Sequence, residues 1–455
     1  MRLLHTSDWH LGKSLMAKRR QEEHAAFLAW LLEVLRREEV DILLVAGDIF
    51  DTSAPGTAAQ QMYYSFLRNV TETPCRHVVI VGGNHDSPSF LNAPRELLKT
   101  FSIHVVGSAE APENEVLCLR KPAPSFPSSS SGPLSAQFEK GVSDVEAVVC
   151  AVPYLRDRDV RSSAPGESLE EKEANTLRGI AEHYAEVARV AREYCAGGAP
   201  MIVAGHLFAA GGRVLEGEGV RELAVGSLGA VPPAVFPPDA DYVALGHLHS
   251  PQRVGGNETR RYSGSPLPLS FAEAGREKSV CLVDFAAPEN LPGTSSESSP
   301  DNPPGTVPPL PGQPSVRLLP VPEFQKIARI EGDLEEVQVA LAALVARNES
   351  IWVEVVCTGQ AVPENLRAQI EEAVAGSSVE VLRVRLENMN AHGLSGQEGE
   401  MLCEMREEDV FARCMALRGV PEEKQPELAA MFQEMLAAAR EALDAEAYGQ
   451  EELEG

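Results

Sequence analysis

The chain has 455 residues, 44% of them hydrophobic, which is enough apolar material for two to four domains. Its formal net charge of −27 excludes a grip on nucleic acid by the whole surface. It leaves room only for a local positive groove, or one completed by metal ions or a partner. The eight cysteines are scattered, with no Cys-x-x-Cys pair, and several sit in apolar runs. That pattern excludes a disulfide framework or a thiolate zinc site and fits buried thiols in a reducing compartment. The first residues lack the apolar core of a signal peptide and no stretch reaches membrane-spanning length, so a cytoplasmic protein is expected.

Residues 2–6 read as a strand, followed at once by Ser7-Asp8-Trp9-His10. A helical pattern over about 20–38 keeps Ala26, Phe27, Trp30, Leu31, Val34 and Leu35 on one side. The nearly continuous apolar run 40–47 is a fully buried strand, and it ends in Asp48-Ile49-Phe50-Asp51. After a helix over 57–69, the strand 77–81 runs into Gly82-Gly83-Asn84-His85-Asp86. Three strand–polar-turn units separated by two helices make a βαβαβ arrangement, with polar residues at the carboxyl end each time.

Residues 87–119 read as a helix and one or two strands, and 121–135 as a Pro/Ser-rich surface loop or insertion. A strand over 147–152 and a helix from 168 to about Cys195 follow. Two more units end the same way: 201–205 runs into His206, and 240–246 into His247-Leu248-His249. Alternate residues of an extended backbone face one side, so these last two histidines point together. The Arg261–Pro266 turn and a strand over 279–285 close the domain.

Residues 286–315 are a Pro/Gly/Ser-rich linker from which no core can be built. A small α/β module is expected over 316–390, with strands at 326–330, 351–356 and 379–386 and helices at 333–347 and 363–374. Two helical stripes within 406–440 suggest a docking element or a terminal hairpin on its own domain. The tail 441–455 carries six acids and no basic residue.

Together the strand-end residues are Asp8, His10, Asp48, Asn84, His85, His206, His247 and His249. Carboxylate, imidazole and amide oxygen suit borderline divalent ions, and no thiolate takes part. They are too many for one metal and about right for two, the arrangement that hydrolyses phosphate esters. Asp48, in the middle of the sheet sequence, is the natural bridging carboxylate.

These turns, in order, resemble the signature of the calcineurin-like metallophosphoesterases. Thr6–Gly12, Gly47–Asp51, Gly83–Pro88 and Tyr262–Pro266 are similar to its SbcD/Mre11 nuclease branch. The resemblance covers residues 1 to about 285 well and the remainder more loosely. It implies an α/β fold, a layered β-sandwich flanked by helices (the metallophosphoesterase fold), with a small α/β capping domain at 316–390 and C-terminal helices. It further implies two divalent ions, Mn²⁺ by family habit. One is held by Asp8, His10, Asp48 and His249, the other by Asp48, Asn84, His206 and His247. By the same resemblance His85 stands over the scissile phosphate, and Asp86 orients it. Lys13, Arg19 and Arg20 either touch phosphates or form an ordinary helix start.

The implied activity is double-strand exonuclease and hairpin endonuclease action on DNA, in repair, recombination and replication. The implied partner is an SbcC-like coiled-coil ATPase docked on 406–440, in a 2:2 complex built on a homodimer. The chain itself has no Gly-x-x-x-x-Gly-Lys-Ser/Thr loop for ATP. In support of a dimer, the helix carrying Met62, Tyr63, Phe66 and Leu67 is an interface or plain core. A small-substrate nucleotide or cyclic-nucleotide phosphoesterase shares every ligand and suits the negative charge better. An inactive scaffold is disfavoured by the complete ligand set.

Overall fold

The computed structural model describes residues 1–121, 145–161, 166–210, 230–285, 313–358 and 365–387, with a few residues between 425 and 432. Most of the Pro/Ser segment, the linker, the terminal helices and the acidic tail therefore lie outside the described residues. The chain divides into two units, residues 1–329 with 350–353, and 330–349 with 354 onward.

The first unit opens with β1 (Arg2–Thr6), a two-residue hairpin β2 (Ser14–Leu15) and β3 (Lys18–Arg19), and α1 (Gln21–Arg37). Then come β4 (Ile42–Ala46), α2 (Thr57–Val70), β5 (His77–Val81), the short helices α3 (Pro88–Asn92) and α4 (Arg95–Lys99), and β6 (Ile103–Val106). A single turn α5 (Pro112–Glu115) leads to β7 (Val116–Arg120), followed by β8 (Val145–Ala151), α6 (Asp157–Val160) and α7 (Leu169–Cys195). The unit ends with β9 (Met201–His206), β10 (Tyr242–Gly246), β11 (Gln252–Val254), β12 (Asn257–Tyr262), β13 (Ser279–Asp284) and β14 (Ser315–Pro320).

These strands form two six-stranded sheets, in the orders β14-β13-β1-β4-β5-β6 and β11-β12-β10-β9-β8-β7. In the first, β1, β4, β5 and β6 run parallel, as βαβ crossovers require, and β13 returns antiparallel beside β1. In the second, β8, β9, β10 and β12 are parallel, with β7 and β11 antiparallel at the edges. Strands buried on both faces explain the continuous apolar runs. One side chain set (Leu3, Leu44, Val79, Val149, Ile202, Ala244) fills the space between the sheets. The alternate set packs outward, under α1 and α2 on the first sheet and under α7 on the second. The unit is thus a β-sandwich with helices on both outer faces, as the resemblance implies.

Strand β14, not expected from the sequence and lying inside the stretch 316–390 given to the small module, pairs along β13 from Ser315↔Asp284 to Pro320↔Ser279. Hydrogen bonding to a distant strand is not visible in a local pattern. The α2 stripe is also settled: Tyr63, Phe66 and Leu67 are buried in the unit's own core and Met62 packs against it, while Tyr64 is left outside.

Strands β15 (Lys326–Gly332), β16 (Ile351–Thr358) and β17 (Val379–Glu387) form a three-stranded sheet in that order, accompanied by α8 (Leu334–Ala346) and α9 (Leu366–Val374); the division between the units falls within β15 and β16. Asp333 caps α8 through a reciprocal bond pair with Glu336, and Val337, Leu341 and Ile370 are buried.

Candidate metal centre

All five ligand-bearing turns follow parallel strands whose ends are in register. Thr6 lies opposite Val45, Ala46 opposite Val81, and His206 opposite Gly246. Polar residues one or two positions beyond these ends therefore converge at one edge of the sandwich. Two bonds tie the sheets together there: His206 Nδ1 lies 2.9 Å from the Ala46 carbonyl, and the His247 amide donates to Asp8 Oδ1 at 2.9 Å.

The backbone at this edge is bent to bring the side chains in. Asp8, His10, Asp48 and His247 all have positive φ, at 53°, 46°, 50° and 99°. Such conformations cost of order 1 kcal/mol each in non-glycine residues and persist where surrounding bonds impose them. Here the bonds are Asp8 N to Gly47 O and His10 N to Asp48 O, both 3.0 Å. The adjoining glycines reflect close approach. A Cβ on Gly83 would sit 2.1 Å from Asp48 Oδ1, and one on Gly246 would sit 1.8 Å from the Ala46 carbonyl oxygen.

Ligand atoms of Asp8, His10 and His249 lie within 4.8 Å of one another, as do those of Asp8, Asp48 and His206. Asp8 is common to both groups, and Asp48 Oδ2, 3.6 Å from His10 Nε2 and 3.3 Å from His206 Nε2, lies between one histidine of each. Asn84 Oδ1 is 3.0 Å from His206 Nε2 and 3.1 Å from His247 Nδ1. Among the eight, only Asn84 and His85 are half-buried; the other six are at most 4% exposed.

The donor set fits divalent cations on two counts. With Nδ1 donating to the Ala46 carbonyl, His206 turns its Nε2 lone pair toward the oxygens of Asp48 and Asn84, an arrangement that needs a cation between them. His10 Nε2 is buried without a hydrogen bond, while its Nδ1 lies 3.2 Å from Asp51 Oδ1.

Protonation follows the same logic. Burial pushes the Asp8 carboxyl up, against the pull of His206 and His249. Burial would also raise Asp48, but the charge and hydrogen bond of His206, with His10, outweigh it and hold Asp48 well below the usual range. Burial lowers His206, yet Asp48 and Asp8 drive it up to about 9. His249 is raised, Glu273 and Asp8 prevailing over burial. His247 is pushed down to about 3 by burial and by the charge on His206, and burial lowers His10. Without metal, protons thus gather between carboxylate and imidazole, where divalent ions would otherwise sit.

His85 belongs to a third group with His10 and Asp51. Its amide donates to Asp48 Oδ1 at 2.9 Å, and its Nδ1 lies 2.8 Å from the Asp51 carbonyl. A carbonyl can only accept, so the proton is on Nδ1 and Nε2 is the unencumbered atom. Asp86, expected to orient His85, does something else. Its carboxylate accepts amides from Ile49, Phe50 and Gly83 at 3.0–3.2 Å and 2.9 Å, clamping the two ligand loops together. Burial and the charge of Asp48 push it up to about 6.

Of the three basic residues after the first turn, Arg20 is buried against Glu23 and the Pro268 carbonyl, and so is unavailable to a phosphate. Lys13 pairs with Asp51 at 2.9 Å beside the site, and Arg19 is exposed.

Sequence reasoning missed Glu273 and Lys278. Both are buried: Glu273 Oε1 lies 3.7 Å from His249 Nδ1, and Lys278 Nζ donates to Glu273, to Ser265 Oγ at 2.9 Å and to the His249 carbonyl at 3.0 Å. The one available signal was a Glu and a Lys closely following the Tyr262–Pro266 turn.

A family model for calcineurin-like phosphoesterases matches residues 1–141, and the SbcD C-terminal model, described as the type 5 capsule protein repressor C-terminal domain, matches 323–418. The SbcD component of the SbcCD nuclease from Escherichia coli K12 is 35% identical over 440 residues, covering 95% of this chain and 97% of that protein. The chain belongs to the SbcD family. The SbcD of Rhodobacter capsulatus is 40% identical over 307 residues (64% of this chain, 69% of that protein). That of Bacillus subtilis is 36% identical over 292 (62% and 66%). The SbcD match reaches into the second unit and spans the stretch from 388 to 418, so the similarity extends well beyond the metal loops.

Proposed function

We propose that this chain is the nuclease subunit of a two-component DNA-processing enzyme, a two-metal phosphodiesterase working with an SbcC-like coiled-coil ATPase. The observation that carries the reading is the pair of ligand groups that share Asp8, with Asp48 between His10 and His206, in a chain aligned almost end to end with an SbcCD nuclease component. One ion would be held by Asp8, His10, Asp48 and His249, and the other by Asp48, Asn84, His206 and His247, with Mn²⁺ as the pair used. Bound there, such ions neutralise phosphate oxygens and lower the pKa of the attacking water.

The chain's own groups do the rest. His85, fixed through Nδ1–H on the Asp51 carbonyl, presents Nε2 to the phosphate; when the ring carries a second proton, on Nε2, it passes that proton to the leaving oxygen and keeps the one on Nδ1. Asp86 keeps the His85 loop against the Asp48 loop through its three amide bonds. No protein nucleophile enters, so cleavage proceeds without a covalent protein–DNA intermediate. In this reading the products are those of a double-strand exonuclease and hairpin endonuclease in cytoplasmic DNA repair, recombination and replication. Residues 406–440 dock the ATPase, and two copies of each component assemble.

The test is Mn²⁺-dependent cleavage of a long duplex and a hairpin, with and without the ATPase and ATP, alongside His85→Gln. ATP-stimulated cutting that vanishes in a variant still binding metal is the expected result. Rapid turnover of a small cyclic or nucleotide diester with no DNA cut under any condition would replace the reading with the small-substrate one, which the net charge of −27 suits.

A further inference from the structure

A chain this acidic must still hold a DNA strand at the metal edge, and several of its arginines are already committed to carboxylates. Arg20 pairs with Glu23, and Arg161 with Asp157 and Glu167. Arg156 is different. Among the described residues its guanidinium has no carboxylate partner.

Its position is set by the segment after β8. The Tyr154 amide donates to the Gly82 carbonyl at 2.8 Å, which holds this segment beside the catalytic loop. The Tyr154 ring meets the His206 ring edge-on, with centroids 6.2 Å apart. Arg156 lies over that ring, its Cζ 5.9 Å from the centroid, and its Nη2 reaches to 3.5 Å from the Asp86 carbonyl oxygen. The guanidinium is half-buried, beside the residue that follows His85 in the chain, and among the described residues its hydrogen bond is that from Nη2 to the Asp86 carbonyl. Its Cζ stands 5.9 Å over the centroid of an aromatic ring, a cation–π contact that limits the freedom lost when a ligand binds.

We propose that Arg156, laid across Tyr154, grips a non-scissile backbone phosphate next to the bond being cut, and so supplies locally the positive charge that the surface lacks. This rests on the DNA-nuclease reading above. A guanidinium fork matches two phosphate oxygens. The scissile phosphate itself falls to the metals and His85, leaving a neighbouring one for a cation placed at Asp86. The site would therefore distinguish a polynucleotide from a diester that has only one phosphate.

The experiment uses the full chain with its ATPase partner and Mn²⁺, comparing Arg156→Ala, Arg156→Lys and, as control, the exposed Arg158→Ala. Duplex cleavage is compared with turnover of bis(p-nitrophenyl) phosphate, which has no second phosphate. Arg156→Ala should raise KM for duplex about tenfold at unchanged kcat and lower the slope of log affinity against log salt by about 1. It should leave the small diester and Mn²⁺ affinity as in wild type. Arg156→Lys should restore the salt slope but only part of KM, and Arg158→Ala should behave as wild type. Equal losses on both substrates, or weakened Mn²⁺ binding, would make Arg156 a brace for the Asp86 loop and overturn the proposal. Wild-type duplex kinetics in Arg156→Ala would overturn it too, leaving the nuclease reading intact. A wild-type enzyme that turns over only the small diester would remove both.

Discussion

Glu273→Gln removes one charge with almost no change in shape, and the structure predicts two separable consequences. Glu273 is fully buried and its partner Lys278 nearly so. Burial would raise its carboxyl, but Lys278 and His249 hold it at about 2, so it is an anion at any working pH. Neutralising it strands the Lys278 ammonium in the interior, which costs about 3–5 kcal/mol of folding stability. It also deprives His249 Nδ1 of the carboxylate 3.7 Å away, and loss of such an orienting partner weakens metal binding about 10–100-fold. Adding Lys278→Met separates the effects. The double variant should regain most of the stability, since no unpaired charge remains, but not the affinity. Urea unfolding in EDTA reads the first quantity and calorimetric Mn²⁺ titration the second. A double variant that is stable and binds Mn²⁺ like wild type would refute the orienting role of Glu273.

Three further outcomes are expected. His5 is buried against Tyr242 with its pKa lowered to about 3, and His24 is lowered to about 4. Both folded values lie below the unfolded value near 6.5, so stability is lost as pH falls below it. His5 alone costs about 2 kcal/mol by pH 5, and His5→Phe should flatten the pH dependence of urea unfolding by one proton. Mn²⁺ at about 100 times Kd should raise unfolding free energy by about 2.7 kcal/mol per site, reversed by chelation and largely abolished in Asp8→Asn. Gly246→Ala, whose methyl would meet the Ala46 carbonyl at 1.8 Å, should cost about 1–3 kcal/mol and weaken Mn²⁺ binding; unchanged melting and affinity would show that the strand ends can part.

The strands are legible in the sequence because burial on both faces leaves unbroken apolar runs, and the ligands are legible because each follows such a run. For β1, β4, β5, β9 and β10 the expected and observed bounds agree to within a few residues. Pairing between distant segments has no local signature, so the sequence gives no sign that residues 315–320 form a strand along β13. Side-chain direction is equally hidden. Asp86 adjoins His85 in sequence yet points to the amides of Ile49, Phe50 and Gly83. The polar contact that fixes His85 is a main-chain carbonyl, which every residue possesses and no sequence marks. Arg20 resembles a phosphate contact by position, but its fork closes on Glu23. Glu273 and Lys278 escape notice because a buried ion pair is identified by its surroundings, not by its spacing.

The most direct measurement is the number of metal ions per chain, determined by native mass spectrometry after Mn²⁺ loading, on the preparations assayed for DNA cleavage. The account predicts two ions in active wild type, two in inactive His85→Gln, and fewer than two in inactive Asp48→Asn, whose carboxylate lies between His10 and His206. One ion per chain in fully active wild type, or full activity in Asp48→Asn, would contradict it.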